Sequence, residues 1–213
     1  MNSAITKQRM NLCGHPVIWH SVKAFDSCPD VDKIVVVART DELDYMRSAL
    51  SGFEKLYKIV SGGKTRAESS YNGLLSLPEE CDIVAIHDAA RCLITPDGIS
   101  RIIREAGAFG AATAATALTD TIKQVSEAGL ITGTVDRGGL CAVQTPQAFN
   151  YGGIMKAFAS VDISDPFITD DNVVYERAGG CVRTVDVGRD NLKITEARDL
   201  VLAELILKER ENV

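Results

Sequence analysis

Residues 82–91 read Asp-Ile-Val-Ala-Ile-His-Asp-Ala-Ala-Arg, and this stretch is the clearest guide to the architecture. Its first six residues form a short apolar run, which is typical of a β-strand covered on both faces. Residues 32–39 (DKIVVVAR) have the same character, and shorter strand patterns occur at 57–60 and 182–187. Helical patterns lie between these runs. Alternating strands and helices predict an α/β domain with a mostly parallel sheet.

Apolar spacing and capping residues predict the helices. Residues 16–25 open with a proline at a first-turn position, and Ile18, Val22 and Phe25 recur on one face. Thr95 is the predicted N-cap of a helix at 96–106. The remaining predicted helices cover residues 42–50, 65–75 and 195–208.

One segment interrupts this alternation. After a strand-like stretch at 110–117, residues 121–125 and 130–135 flank a turn and predict a β-hairpin. We interpret residues 119–137 as a protruding arm of an otherwise single domain that spans residues 1–213. An arm exposes strand edges that something must cover. A partner subunit would cover them in a homodimer; alternatively, the arm packs on its own domain.

Composition excludes several classes of function. The chain has 23 Lys and Arg against 29 Asp and Glu, and a net charge of −6 argues against a nucleic-acid-binding protein. The longest apolar stretch, residues 106–118, is shorter than the ~18 residues that span a bilayer. Residues 1–12 lack the apolar centre of a signal peptide. We therefore expect a cytoplasmic protein, and cysteines without a Cys-x-x-Cys pair are expected to be reduced.

Polar residues follow the predicted strands, where open α/β sheets bind their ligands. Residues 62–66 (GGKTR) join a strand to a helix, so glycines and a helix N-terminus could receive an anion; a tight turn explains the glycines equally well. Asp88 and Arg91 follow another strand, and a carboxylate there suits Mg²⁺ held together with substrate phosphates. The alternative is that Asp88 caps the next turn and pairs with Arg91.

Two further segments carry charged residues. Residues 188–195 offer a second carboxylate, Asp190, and a lysine, Lys193, although a solvated loop would look the same. Residues 169–171 (TDD) read as an N-cap followed by an acidic first turn. Because the histidines lack an HExxH spacing and no serine lies in a Gly-x-Ser-x-Gly turn, zinc and hydrolase chemistry are disfavoured.

Seven short motifs occur in a specific order along the chain. They are Lys7-Gln8, Gly62-Gly63-x-x-Arg66-x-x-Ser69, His87-Asp88-Ala89-Ala90-Arg91, Thr134-Val135-Asp136-Arg137, Gln144-Thr145-Pro146-Gln147, Thr169-Asp170-Asp171 and Gly188-x-x-Asn191-x-Lys193-Ile194-Thr195. In this order the series resembles the 2-C-methyl-D-erythritol 4-phosphate cytidylyltransferase family of the non-mevalonate isoprenoid pathway. The resemblance covers nearly the whole chain.

The resemblance implies a Rossmann-like nucleotidyltransferase fold with a β-arm, a homodimer and a requirement for Mg²⁺. It implies that CMP passes from CTP to a polyol phosphate, 2-C-methyl-D-erythritol 4-phosphate, and that pyrophosphate leaves. Two alternatives stay open: a ribitol 5-phosphate cytidylyltransferase and a non-catalytic nucleotide-binding homologue.

The resemblance also implies roles for individual residues. The cytidine would be bound by Gly63, Arg66 and Ser69, and the metal by Asp88 with help from Asp190. The catalytic contacts to the CTP phosphates would come from Lys7 and Lys193. The polyol phosphate would be bound by Arg91 and Thr169, together with Thr121 and Arg137 of the partner's arm.

The chain departs from the family pattern in three places. Thr6 and Cys92 stand where the family has proline. The resemblance further implies a central strand and a Gly-rich loop ahead of the position of Met1. Without them we expect an apolar gap in the sheet and low activity from residues 1–213 on their own.

Overall fold

The structure is a computed structural model that describes residues 6–211. Over this range the chain forms strands and α-helices that largely alternate, as the sequence predicts. The strands are β1 (Asn11–Leu12), β2 (His15–Pro16), β3 (Ile34–Ala38), β4 (Leu56–Ser61), β5 (Ile83–Ile86), β6 (Ala111–Ala117), β7 (Ile122–Val125), β8 (Ile131–Val135), β9 (Cys141–Asn150) and β10 (Arg183–Asp186). The helices are α1 (Val17–Asp26), α2 (Leu43–Ala49), α3 (Arg66–Leu74), α4 (Pro96–Phe109), α5 (Tyr151–Ser160), α6 (Asp171–Arg177) and α7 (Ala197–Glu211).

A four-stranded sheet has the order β10-β6-β9-β5. β10 runs parallel to β6, whereas β9 runs antiparallel to both of its neighbours. The α/β prediction is confirmed. The sequence did not predict β9, the strand that runs antiparallel to its neighbours in this sheet. The segment Gln144-Thr145-Pro146-Gln147 has the polar and proline content of a loop, yet every residue from Gln144 to Phe149 is buried. Tertiary packing therefore overrides local propensity in β9.

The predicted strands at 32–39 and 57–60 form a separate parallel pair, β3 and β4. Helices α1 and α2 cover this pair through a core that includes Ile18, Val36 and Met46. Among residues 6–211, β3 pairs with β4 alone and β5 with β9 alone. Residues of both β3 and β5 line one cleft of about 1260 Å³. The apolar gap expected in the sheet stays a prediction.

Helix α4 covers the four-stranded sheet. Its buried Ile102 and Ala106 pack against alanines of β6 and against Ala148 of β9. The small side chains of β6 let the helix approach closely. The predicted cap is present, because the Thr95 hydroxyl accepts a hydrogen bond from the Gly98 amide at 3.2 Å. Gly110 ends the helix at a φ of +89°, a conformation that favours glycine.

The predicted β-hairpin is confirmed. β7 and β8 pair antiparallel and form a two-stranded sheet of their own. Three apolar side chains of the hairpin are more than half exposed within the chain: Val125 (59%), Leu130 (68%) and Ile131 (66%). Within the described part of the chain, no helix is long and apolar enough to span a membrane.

Candidate active site

The loop that follows β5 is held in place by β9. Its backbone forms a turn in which the Arg91 amide donates to the Asp88 carbonyl at 2.9 Å. The Asp88 amide donates to the hydroxyl of Thr145, a buried residue of β9, also at 2.9 Å. The neighbouring antiparallel strand thus supplies the side chain that fixes the position of Asp88.

The loop that follows β10 is attached to the loop after β5. The Ile194 amide donates to the Ala90 carbonyl at 2.8 Å, and the Arg91 guanidinium donates to the Asn191 carbonyl at 3.0 Å. The buried Asn191 side chain donates in turn to the Gln144 side chain at 2.8 Å and to the Thr145 carbonyl at 2.9 Å. These bonds connect three segments that lie far apart in the sequence.

The attachment brings Lys193 to Asp88. The Nζ atom of Lys193 lies 2.6 Å from Oδ2 of Asp88, in a charge-assisted hydrogen bond. Burial opposes ionisation of Asp88, but Lys193, with a contribution from Arg66, outweighs it and holds the pKa of this carboxyl below its usual value. Asp88 contacts Lys193 and Arg66 through its carboxylate, so the alternative interpretation, in which it caps a turn and pairs with Arg91, does not describe this site.

Arg66 lies between two carboxylates. Its guanidinium is 2.8 Å from Oδ2 of Asp171 and 3.7 Å from Oδ1 of Asp88. Burial disfavours the charge on Arg66, but the two aspartates outweigh it and raise the pKa of the guanidinium. The carboxyl of Asp171 is buried, which raises its pKa, and Arg66 offsets this only in part. Arg66 was predicted at the cytidine; the structure shows its charge directed to these acids.

The predicted N-cap at residues 169–171 is present. The Asp170 carboxylate accepts from the Val173 amide at 3.1 Å and begins α6. The buried Gln147 side chain of β9 accepts from the Asp171 amide at 3.0 Å and donates to Asp170 at 2.8 Å. Because Gln147 fixes the start of α6, it also fixes Asp171 against Arg66.

A compact turn joins β4 to α3. The Ser69 hydroxyl accepts from the Gly63 amide at 3.0 Å and donates to the Thr65 carbonyl at 2.8 Å. The Thr65 side chain caps α3 by accepting from the Glu68 amide at 3.0 Å. Glu68 also accepts from the Lys64 amide at 2.6 Å. The residues that were predicted to bind the cytidine therefore also shape the wall of the cleft that they line.

Replacement of Gly63 by alanine should destabilise this turn, because the new Cβ would lie 2.3 Å from Cβ of Glu68. We expect a loss of about 1–3 kcal/mol in the free energy of unfolding, measured in urea, as for other overpacked sites. The matched control is Gly52→Ala, whose Cβ would meet nothing within 4 Å. Equal urea midpoints for the two variants would contradict this prediction.

Comparison with known proteins identifies the relatives of the chain. Residues 1–209 match the family model described as IspD, 2-C-methyl-D-erythritol 4-phosphate cytidylyltransferase. The chain belongs to this family. A relative of that name from Caldanaerobacter subterraneus subsp. tengcongensis is 40% identical over 212 residues, which are 98% of the chain and 93% of the relative. Another, from Clostridium botulinum strain Okra, is 37% identical over 210 residues, 98% of the chain and 92% of the relative.

Solved structures agree with this assignment. The crystal structure of 4-diphosphocytidyl-2C-methyl-D-erythritol synthase from Anaerococcus prevotii matches with a TM-score of 0.86 at 25% identity, over 94% of the chain and 93% of that structure. The cytidylyltransferase from Francisella tularensis matches with a TM-score of 0.79 at 28% identity, over 94% and 93%. The Rossmann-like nucleotidyltransferase fold that the sequence predicts is thereby confirmed.

Several predicted site residues of this cytidylyltransferase lie outside the group around Asp88. The exposed Asp190 contacts Arg210 of α7, with 3.5 Å between the oxygen and the nitrogen. Its contribution to metal binding stays a prediction that this contact does not support. Lys7 is exposed, and its neighbours Thr6 and Gln8 line the cleft. Its role also stays a prediction.

The predicted polyol-phosphate residues fall in two places. Arg91 is partly buried and joins the two loops, and burial lowers the pKa of its guanidinium. Thr121, Arg137 and Thr169 are exposed. Arg137 donates to the Thr119 carbonyl and so folds back on the base of the arm. Thr121 belongs to the arm, and Thr169 precedes Asp170 at the start of α6, two residues before the Asp171 that pairs with Arg66.

Several residues that build the site have no role that the sequence by itself predicts. Thr145, Gln147, Asn191 and Asp171 all lie in the motifs of the family, but no local pattern indicates what they do. Their burial is what indicates a role, because each of these polar residues is at most 4% exposed. Burial cannot be read from the local sequence. A buried polar side chain needs partners. Thr145 binds the Asp88 amide, Asn191 binds β9, Gln147 binds the start of α6, and Asp171 pairs with Arg66.

The charged group around Asp88 fits a divalent cation that is bound together with a nucleotide. Among residues 6–211, no group of three or more His, Cys, Asp or Glu side chains is arranged so that it could hold a metal ion. Mg²⁺ does not need such a cluster, because it is bound by one or two carboxylates plus substrate phosphates. Asp88 is ionised, and its side chain is only 21% exposed. It is the residue that best fits this requirement.

Proposed function

We propose that this chain transfers CMP from CTP to 2-C-methyl-D-erythritol 4-phosphate and releases pyrophosphate. Membership of the family supports the reaction. The contact between Lys193 and Asp88 is the observation that supports this location for the reaction. Gly63 and Arg66 line the same cleft. The lysine and the arginine there can bind a triphosphate, and the carboxylate can bind its cation.

The chemistry requires charge stabilisation more than proton transfer. A phosphate oxygen of the polyol phosphate forms a bond to the α-phosphorus of CTP, and the bond from that phosphorus to the bridging oxygen of the pyrophosphate breaks. A phosphate monoester loses its second proton with a pKa near ~6, so it is already an anion at neutral pH and needs no general base. Positive groups that oppose the repulsion between the anions lower the barrier.

Individual residues of the chain have separate roles in this reaction. Lys193 moves from Asp88 to the phosphates of CTP, where it stabilises the charge that develops at the α-phosphorus. Asp88 would hold Mg²⁺, which would neutralise charge on the phosphates. Burial lowers the pKa of His87 to about 4, so its ring is not the acid or base of the reaction at neutral pH. We also infer that Lys7 contacts the phosphates and that the enzyme acts in the cytoplasm.

The test is an assay of pyrophosphate release from CTP and 2-C-methyl-D-erythritol 4-phosphate in the presence of Mg²⁺. Formation of the CDP-linked product supports the proposal. A preference for ribitol 5-phosphate in a parallel assay would replace it with the ribitol alternative. Binding of CTP without release of pyrophosphate from either substrate would favour the non-catalytic alternative.

We infer that the arm joins two copies of this chain. The exposed Val125, Leu130 and Ile131 form an apolar surface on β7, β8 and the turn between them. Strand edges with such a surface invite association. In this dimer Thr121 and Arg137 of one copy would contact the polyol phosphate bound to the other copy beside Arg91 and Thr169.

Replacement of Ile131 by aspartate should shift the protein from dimer to monomer in sedimentation velocity, because a charge would be buried in the interface. The matched control is Leu75→Asp, since Leu75 is similarly exposed (57%) but lies at the end of α3. A wild-type protein that sediments as a monomer would refute the dimer.

A further inference from the structure

His87 lies beside Asp88, the predicted metal ligand, and contacts Thr145 of β9. It directly follows β5, and Asp88 is the next residue. β5 and β9 pair with Ile86 opposite Gln147, so the antiparallel register carries Thr145 to the level of the loop. On the other side, the ring of Phe25 packs against the imidazole with 5.1 Å between the ring centroids.

Both ring nitrogens of His87 are used. Nδ1 lies 3.1 Å from the Thr145 hydroxyl, and Nε2 lies 3.1 Å from the Arg91 carbonyl. The Arg91 carbonyl can only accept, so Nε2 must carry the proton.

The other end of the chain of hydrogen bonds is compatible with the same tautomer. The Asp88 amide can only donate, so it occupies one of the two lone pairs of the Thr145 hydroxyl at 2.9 Å. The hydroxyl proton is then available to Nδ1, which accepts through its lone pair. The Arg91 carbonyl therefore places the proton on Nε2, and the bond from the Asp88 amide leaves the Thr145 hydroxyl proton for Nδ1.

We propose that His87 is a positioning residue for the transfer reaction: with its proton on Nε2 and a lone pair on Nδ1, it fastens both ends of the Asp88–Arg91 turn. One bond acts through Thr145 on the Asp88 amide, and the other acts directly on the Arg91 carbonyl. The turn carries the Asp88 carboxylate and the Arg91 guanidinium, and Lys193 is attached to it. This inference rests on the proposed function, because it assigns the turn to the reaction.

The first test needs no activity. In protein labelled with ¹⁵N at histidine, the ring resonances of His87, assigned by their loss in His87→Gln, should show a protonated Nε2 and an unprotonated Nδ1. The opposite tautomer would overturn the inference. A failure of the CMP-transfer assay would leave this measurement intact, so the two proposals fail separately.

The second test uses variants on both sides of the bond. His87→Phe keeps a flat ring against Phe25 and removes both hydrogen bonds. We expect kcat to fall about 10- to 100-fold, as for other residues that orient a ligating group, with a small change in the KM for CTP. The affinity for Mn²⁺, measured directly, should fall about tenfold or more for the same reason.

Thr145 supplies the matched pair. Thr145→Val removes the hydroxyl and keeps the shape, whereas Thr145→Ser keeps the hydroxyl. We expect the valine variant to lose activity and the serine variant to retain it. The losses in His87→Phe and Thr145→Val should not add in the double variant, because both break one chain of bonds. The control is Thr113→Val, a buried threonine of β6 whose hydroxyl donates to the Gln144 carbonyl at 3.3 Å.

Three results would overturn the role. They are an unchanged kcat in folded His87→Phe and Thr145→Val, additive losses in the double variant, and equal losses in the serine and valine variants at position 145. If His87→Phe does not fold, the comparison at position 145 and the NMR measurement still decide.

Discussion

Turnover should fall about 100- to 1,000-fold when Lys193 is replaced by alanine, which is the usual cost of removing one group that stabilises a developing charge. The affinity for CTP should change far less. In the structure Lys193 is already engaged, 2.6 Å from the Asp88 carboxylate, so part of its attraction to the nucleotide replaces an existing ion pair. Its full contribution is expected in the transition state, where more negative charge accumulates.

The measurement is kcat from pyrophosphate release at saturating substrates, together with the dissociation constant for CTP from calorimetry. Lys208→Ala is the control, because Lys208 is an exposed lysine of α7 that pairs with Glu204. Lys193→Arg keeps the charge but not the compact ammonium, and it should be intermediate. An unchanged kcat in Lys193→Ala would refute the role of the lysine.

The second large effect is expected from Asp88→Asn, a substitution that keeps the shape of the side chain and removes its charge. It should lower turnover about 100-fold or more, because it removes the carboxylate that holds the cation at the phosphates. It should also weaken the binding of Mn²⁺, measured by titration in the presence of CTP. Asp88 carries this charge at neutral pH because Lys193 and Arg66 keep its pKa low despite burial.

The control for this substitution is Asp44→Asn. Asp44 has a side chain that is 98% exposed and pairs with Arg47 on the surface of α2. Exposed ion pairs of this kind contribute little, so activity and metal affinity should stay at the wild-type level. Equal metal affinity for Asp88→Asn and the wild type would show that another group holds the cation.

The two predictions depend on each other through the contact between Lys193 and Asp88. Removing Asp88 releases Lys193 from its partner, and removing Lys193 leaves Asp88 with Arg66 at 3.7 Å. The double variant should therefore show a loss different from the sum of the single losses. That coupling would support a site in which the lysine and the carboxylate act together.

Local patterns in the chain were sufficient for most of the elements. Apolar runs predicted β3, β4, β5 and β10, and capping residues predicted the start of α4 at Thr95. These signals are local, because a strand needs its own apolar run and a helix needs a cap within its first turn. The same holds for the arm, whose hairpin is formed between segments close together in sequence.

Segments whose structure depends on distant partners were not predicted. β9 contains Gln144, Thr145 and Gln147, which read as loop residues but are buried in the sheet. Their polar groups are satisfied by Asn191, by the Asp88 amide and by the start of α6. The partners of these side chains lie 23 to 58 residues away in the sequence, so no local pattern predicts them.

By itself, the sequence determined the α/β class, the arm, the family and the identity of Asp88 and Lys193 as candidates, because these follow from local periodicity and from the order of motifs. Only the tertiary structure showed that Lys193 contacts Asp88 across 105 residues of chain, that Arg66 lies between Asp88 and Asp171, and that Asp190 faces Arg210 instead. The physical reason is that charges interact over a few ångströms in space. Which side chains come within that range is set by how the strands and their loops pack.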